Sequence, residues 1–463
     1  MEKHEESFKV VQVCNVEPYL DTTKPFSSPT SLPLTFFDLL WLRFPPVELL
    51  FFYELTNSTT FFYDTLLPNL KHSLSLTLQH FLPLAGNITW PSDSSKPIIN
   101  YVKGDNSISF NVVESKESFK DLSSHHCEAS KRHHLIPHLK ISHEKASLLA
   151  IQVTLFPNNG FCIGITTHHA ALDGKSLSTF MKSWSYVACS NSKHDSSFLS
   201  LPETLTPFFD RSLIQDHNNG IGISDAYVVD LMKQGGPNNR SLKIMNFSGP
   251  VKHDVVKSLF ELTPSNIQKL KEHGKNDMKM KVINLSTFLV TSAYILACLA
   301  KAEQPKVEKV VFIISMDCRS RLDPSISTMY IGNCIAGQKI VFETKNLVGK
   351  NGFLNALEGI NKALNSVKDV GVLNGAENWV SNMYSGFEGK IYSIAGSPRF
   401  EFYSIDFGFG KPKKVDMTST DKTGAFSLGE SRNNNGGIEI GLALNKEELE
   451  AFSTIFVEGL ESI

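Results

Sequence analysis

Residues 161–184, FCIGITTHHAALDGKSLSTFMKSW, constrain this chain more tightly than any other stretch. Positions 161–167 are apolar or small on both alternating faces, the pattern of a strand covered on both sides. Positions 175–184 then carry Leu177, Phe180, Met181 and Trp184 at helical spacing. His168, His169, Asp173 and Gly174 therefore fall where a buried strand gives way to a helix. An imidazole is the side chain most easily used as a base near neutrality, and a carboxylate four residues on can hold the local structure in shape. Paired histidines at a strand end are also an ordinary structural feature, so on these residues alone both readings stand.

A chain of 463 residues with 41% hydrophobic residues can build two sizeable cores, and two domains are expected. Its 45 basic and 47 acidic residues nearly cancel, so no overall field draws it to nucleic acid or to a membrane surface. An anionic ligand would have to be met by local positive groups. The cysteines at 14, 127, 162, 189, 298, 318 and 334 are odd in number, scattered and without a CxxC pair, which fits free thiols in a reducing compartment. The charged start, MEKHEES, runs into an apolar strand pattern without a signal-peptide core, and the best apolar segment, 288–300, is too short to span a bilayer. A cytosolic protein that does not engage a membrane is expected.

Along the chain, 9–13 reads as a strand, and 32–46 is dense in aromatics and closed by prolines. Leu66, Leu70, Leu74, Leu78, Phe81 and Leu82 follow a helical period, with Pro68 near its start and Pro83 and Gly86 as its stop. Strands are predicted at 98–102, 107–113 and 148–156, the last turning through Pro-Asn-Asn-Gly into the motif strand. The histidine-rich segment 123–143 has one cysteine among basic neighbours rather than spaced ligand pairs, and reads as a solvated basic loop-and-helix face, not a metal site. Polar, aperiodic residues 190–224 form the expected crossover between an N-terminal domain, 1–189, and a C-terminal domain, 225–463. In the second half, strands are predicted at 255–262, 309–316, 335–342, 399–405 and 437–444. Helices are predicted after the Thr263-Pro264 start, ending at Gly274, after Ser286-Thr287, and after the capping-box sequence Asn445-Lys-Glu-Glu448.

The pattern His-His-x-x-x-Asp-Gly, followed by Tyr330-Ile-Gly-Asn-Cys334 and Asp406-Phe-Gly-Phe-Gly410, resembles the plant acyl-CoA-dependent acyltransferases called the BAHD family. The aromatic stretch 32–46, the turn 83–87 and the segment 436–442 extend the likeness to its malonyltransferase-like branch. The resemblance implies an α/β fold of two chloramphenicol-acetyltransferase-like domains, with mixed sheets flanked by helices, joined by a long crossover and enclosing a channel. It implies a monomer with no resident cofactor and no metal, taking malonyl-CoA as co-substrate and a phenolic or flavonoid glycoside as acceptor.

By the same resemblance His169 is the general base. Asp173 belongs to the motif and turns away to pair an arginine of the other domain, Arg319 or Arg321. Ser397 is the hydroxyl expected to meet the oxyanion, and Lys175 and Arg399 are candidates to meet a malonyl carboxylate. Ser286 and Thr287, at a helix start, could bind coenzyme A phosphates, although capping explains them equally well. Asp406, Gly408 and Gly410 read as a packing and turn element in which Phe409 replaces the family's usual Trp, removing an indole N–H. Condensation domains share the first motif but occur beside carrier domains, which this sequence does not show. A non-catalytic binding protein on the same fold is the remaining alternative.

Overall fold

The structure is a computed structural model and describes residues 7–20, 28–191, 200–216, 222–245, 255–277, 285–386, 388–433 and 435–463. Strand Gly160–Thr167 is buried at every position, as its two-sided apolar pattern requires. It pairs antiparallel with Leu149–Phe156 on one side and with Val47–Glu54 on the other. The hairpin turn places Asn158 at φ 64°, a left-handed conformation that asparagine tolerates. Val47–Glu54, VELLFFYE, was not anticipated as a strand, yet six of its eight residues are buried. From edge to edge the sheet runs Phe8–Val16, Ile108–Ser115, Leu149–Phe156, Gly160–Thr167, Val47–Glu54 and Lys414–Met417.

The motif helix, Gly174–Asn191, packs on helix Leu67–Leu78, where the Trp184 indole donates to the Leu70 carbonyl at 3.2 Å and to Ser73 Oγ at 3.1 Å. Pro68 sits in the first turn of that helix as expected, but Pro83 does not end it. The helix stops at Leu78, and Pro83 instead opens a separate turn, Leu82–Ala85. Gly86 serves close approach: a Cβ there would lie 2.4 Å from the Asn100 carbonyl oxygen.

A second, seven-stranded sheet runs Ile335–Glu343, Lys309–Asp317, Lys390–Ala395, Phe426–Glu430, Ile438–Asn445, Val255–Leu262 and His126–Glu128. It mixes parallel with antiparallel pairs and has its own apolar core beneath helices Thr287–Glu303, Gly352–Val370 and Lys446–Glu461. The capping box at Asn445 and Glu448 is formed. Two predicted boundaries differ. Gly274 lies inside helix Pro264–Asp277, where a Cβ would come within 2.8 Å of Leu357, so this glycine permits close helix packing rather than ending the helix. Residues 399–405 are not a strand. Pro398–Phe400 and Phe402–Ser404 are short 3-10 turns separated by Glu401 at φ 52°, which breaks any extended run.

Each large sheet takes its last strand from the opposite half of the chain. Lys414–Met417 pairs with Val47–Glu54, and His126–Glu128 pairs with Val255–Leu262. This overturns the solvated reading of 123–143. Cys127 is buried in the exchanged strand, and the fully buried Arg132 binds Asp416 at 2.5 Å. The crossover is pinned where Phe208 N–H donates to the Met329 carbonyl and the Phe208 carbonyl accepts from Ile331 N–H, at 2.9 and 2.8 Å. Among the described residues no helix is long and apolar enough to cross a membrane, and no cluster of His, Cys, Asp or Glu could hold a metal ion.

Candidate active site

Strand Gly160–Thr167 delivers His168 and His169 to a corner between the two halves, and the environments of the two rings differ. His168 is fully buried, and its Nδ1 accepts from Ala170 N–H at 3.2 Å. Burial, then the charge of His169, lowers its imidazole to about 3, so it is neutral under ordinary conditions. His169 keeps a partly exposed edge, but its Nδ1 is buried without a hydrogen-bond partner. Burial lowers this imidazole to about 4, opposed by its own backbone, by the Asp173 charge and by Asn333. A neutral ring with Nδ1 buried leaves Nε2 as the nitrogen available to a substrate proton.

The ring is held by residues that the sequence reading did not single out. Trp41 stacks on it with centroids 4.1 Å apart and planes 8° from parallel, and Phe44 meets it edge-on at 5.6 Å. Asn333, inside the 330–334 motif, donates through Nδ2 to the His169 carbonyl at 2.9 Å and to Asp38 Oδ1 at 3.1 Å. Asp38 also accepts from Asn333 N–H at 2.9 Å and, through its other oxygen, from Thr35 N–H and Oγ1 at 3.0 and 2.9 Å. A buried carboxylate stays charged in such a place only with this many donors. Legible hints were the Thr-x-x-Asp spacing at 35–38 and the one asparagine of the 330–334 motif.

Asp173 faces away from this nitrogen. Its oxygens accept from Arg319 at 2.9 and 3.1 Å, from Ser176 N–H at 2.8 Å and from Cys334 N–H at 3.1 Å. Burial pushes its carboxyl up, but the Arg319 charge and these donors outweigh burial and hold it below the usual range. Of the two arginines considered as its partner, Arg319 takes the position. Arg321 is exposed and donates to the Asp317 carbonyl, so it is not the partner. Arg319 further donates to Ser176 Oγ and to the carbonyls of Tyr330 and Gly332, at 3.1, 3.1 and 3.2 Å. Motif helix, arginine and 330–334 turn thus form one buried knot. Gly332, at φ 145°, is required there because a Cβ would strike the Arg211 guanidinium.

The segment after strand Lys390–Ala395 lies against the motif helix. A Cβ on Gly174 would meet the Phe400 ring at 2.4 Å, Ser178 Oγ donates to the Phe400 carbonyl at 2.6 Å, and Lys182 pairs with Glu401 at 2.7 Å. Within that segment Ser397 Oγ accepts from Arg399 N–H at 3.2 Å. Lys175 is half-buried on the first turn of the helix, with no carboxylate in ion-pair distance among the described residues, and burial, then Lys182 and Arg319, lowers its ammonium. Asp406 Oδ1 accepts from the N–H groups of Gly408, Phe409 and Gly410 at 2.8, 3.1 and 3.0 Å, with both glycines left-handed. Phe407 is buried against Trp184 and Tyr53. Ser286 caps its helix through Leu289 N–H at 3.2 Å, and Thr287 Oγ1 accepts from Lys271 Nζ at 3.1 Å.

The model of the transferase family matches residues 20–458, with the motif corner and the knot inside the match. The chain belongs to the BAHD acyltransferase family. It is 36% identical over 482 residues to phenolic glucoside malonyltransferase 1 of Arabidopsis thaliana, covering 100% of this chain and 99% of that protein. It is 32% identical to agmatine coumaroyltransferase of the same plant, covering 97% and 98%. The crystal structure of vinorine synthase superposes with a TM-score of 0.69 at 20% identity, over 96% of each chain, which agrees in fold. The BAHD corner, with a neutral histidine at its mouth and its aspartate consumed by an arginine, is that of an acyl-CoA-dependent acyltransferase.

Proposed function

We propose that this BAHD enzyme moves a malonyl group from malonyl-CoA to a sugar hydroxyl of a phenolic or flavonoid glucoside. His169 Nε2 takes the hydroxyl proton as the oxygen attacks the thioester carbonyl, a contribution of about 10²–10⁴-fold for a positioned base. Ser397 donates to the oxyanion that develops. Collapse expels coenzyme A as a thiolate, which takes the proton back from His169, so the enzyme is restored and a free thiol and an ester are released. The phosphates of coenzyme A are assigned to the Ser286–Thr287 helix start, where Lys271 adds a cation 3.1 Å from Thr287 Oγ1. The seven free cysteines suit a monomeric enzyme of a reducing compartment such as the cytosol.

The observation that carries the donor assignment is the half-buried Lys175 without a carboxylate partner among the described residues, two positions past Asp173. A malonyl carboxylate arriving there would relieve a desolvated cation and be neutralised itself. Arg399 is the alternative, farther into solvent. The likeness to a phenolic glucoside malonyltransferase supports the same donor and acceptor, whereas the likeness to a coumaroyltransferase favours an aromatic acyl group. Incubation with malonyl-CoA and a flavonoid glucoside, followed by mass analysis, should give a malonyl ester. Lys175→Met should depress malonyl-CoA use far more than acetyl-CoA use, since only the first donor carries the extra charge. Equal losses for both donors in Lys175→Met and Arg399→Met would remove both cations from the role. A preference of the parent enzyme for an aromatic acyl-CoA would overturn the donor itself.

A further inference from the structure

The imidazole that does the chemistry lacks the carboxylate usually expected behind a catalytic histidine. Asp173 spends its oxygens on Arg319, Ser176 and Cys334, and His169 Nδ1 has no partner. What fixes the plane of the ring, and what faces the imidazolium once it holds a proton, must therefore be something else. We propose that Trp41 is a positioning residue for the transfer reaction: its indole face, stacked on His169, sets the ring's orientation and stabilises the imidazolium formed when the acceptor hydroxyl is deprotonated. This inference rests on the reading of His169 as the base.

The geometry is that of a clamp from a single short segment. Helix Phe36–Leu39 is fixed by the Thr35–Asp38 capping box, and the chain then continues in tight turns, with Trp41 N–H donating to the Asp38 carbonyl and Phe44 N–H to the Trp41 carbonyl, at 3.1 and 3.2 Å. Trp41 and Phe44 meet edge to face with centroids 5.0 Å apart, so the stacking ring is itself braced. The same segment holds the histidine backbone through Asp38 and Asn333, so ring and main chain are referenced to one element. An aromatic face attracts a cation within about 6 Å, by about 0.5–2 kcal/mol, most strongly for Trp and where water is excluded. A neutral imidazole gains much less from the same face. The stack therefore favours the protonated state that the reaction passes through.

The indole Nε1 is buried and has no hydrogen-bond partner, so Phe at this position keeps an aromatic face and loses no bond. Steady-state rates of Trp41→Phe, Trp41→Leu, Trp41→Met and His169→Ala should be measured with the acyl-CoA and acceptor the parent turns over, alongside thermal midpoints. Trp41→Leu and Trp41→Met should lose about tenfold in kcat with KM for both substrates within about twofold, while Trp41→Phe stays within about threefold of the parent. A leucine or methionine variant with parental kcat, a loss confined to KM, or a phenylalanine variant as slow as leucine would overturn the role of Trp41. Leucine and methionine are paired so that a folding defect in one leaves the other to decide. His169→Ala that still transfers at parental rate would overturn the base reading beneath it. His169→Ala inactive beside a fully active Trp41→Leu would overturn only the clamp.

Discussion

Two buried ionic junctions tie the halves of this molecule together, and they are built on opposite terms. At the catalytic knot one carboxylate, Asp173, meets one arginine, Arg319, and both oxygens find hydrogen-bond donors within 3.1 Å. At the strand exchange Asp416 faces three cations, with Arg132 at 2.5 Å and Lys257 and Lys414 each at 3.9 Å, and only Asp421, 2.7 Å from Lys257, adds a second negative charge. Burial raises the Asp416 carboxyl, and the three cations outweigh it and hold it far below its ordinary range. Lys414 carries the surplus: burial, only partly offset by Asp416, lowers its ammonium to about 7. The knot is matched and indifferent to pH near neutrality, whereas the exchange junction titrates there. Matching is kept where a histidine must be aimed, and surplus charge is tolerated where two sheets only need to be fastened.

The largest effect should come from Asp416→Asn, which leaves Arg132, Lys257 and Lys414 buried against Asp421 alone and should cost about 3–5 kcal/mol in chemical denaturation. A loss below about 1 kcal/mol would mean that the junction relaxes and that the contrast is false. Asp173→Asn should cost somewhat less, about 3 kcal/mol, because Asp317 remains 3.1 Å from Arg319. Activity should then fall in step with the folded fraction, and a purely kinetic defect at an unchanged thermal midpoint would give Asp173 a direct part in catalysis.

Lys414→Met should act in the opposite sense. The folded-state value of Lys414, about 7, lies below its ordinary 10.5, so between these values the unfolded chain binds the extra proton and stability rises with pH. Removing the ammonium should stabilise the protein by about 1 kcal/mol at neutral pH and flatten that rise. A parental slope between pH 7 and 10 in the variant would clear Lys414 of the effect. Arg321→Ala, by contrast, should stay within about 0.5 kcal/mol of the parent, since its exposed side chain pairs no carboxylate of the knot.

Local signals made much of this legible in the sequence. The two-sided apolar run at Gly160–Thr167, the helical period of Gly174–Asn191 and the capping box at Asn445 each depend on neighbours in sequence, and all three were read correctly. Contacts between distant residues were not legible. Arg132 and Asp416 are 284 positions apart, so Arg132 looked like one more solvated charge in a histidine-rich loop. The exchanged strands His126–Glu128 and Lys414–Met417 are three and four residues long, too short for a period, and exist only because a partner strand offers an open edge. The alternating Phe400, Phe402 and Ile405 imitated a strand, but Ser397-Pro398 and the left-handed Glu401 turn the chain instead. Trp41 was visible only as part of an aromatic-rich segment, because nothing in that segment specifies that its ring covers His169.

The account turns on His169 as the base, and the most direct test is the rate of acyl transfer by His169→Ala, with malonyl-CoA and a flavonoid glucoside, against its thermal midpoint. The ring is packed between Trp41 and Phe44 but forms no side-chain hydrogen bond at Nδ1, so its loss should leave the midpoint within a few degrees, roughly 1 kcal/mol, of the parent. The transfer rate should fall by about 10²–10⁴-fold. Transfer retained above about a tenth of the parental rate by a folded His169→Ala protein would contradict the assignment.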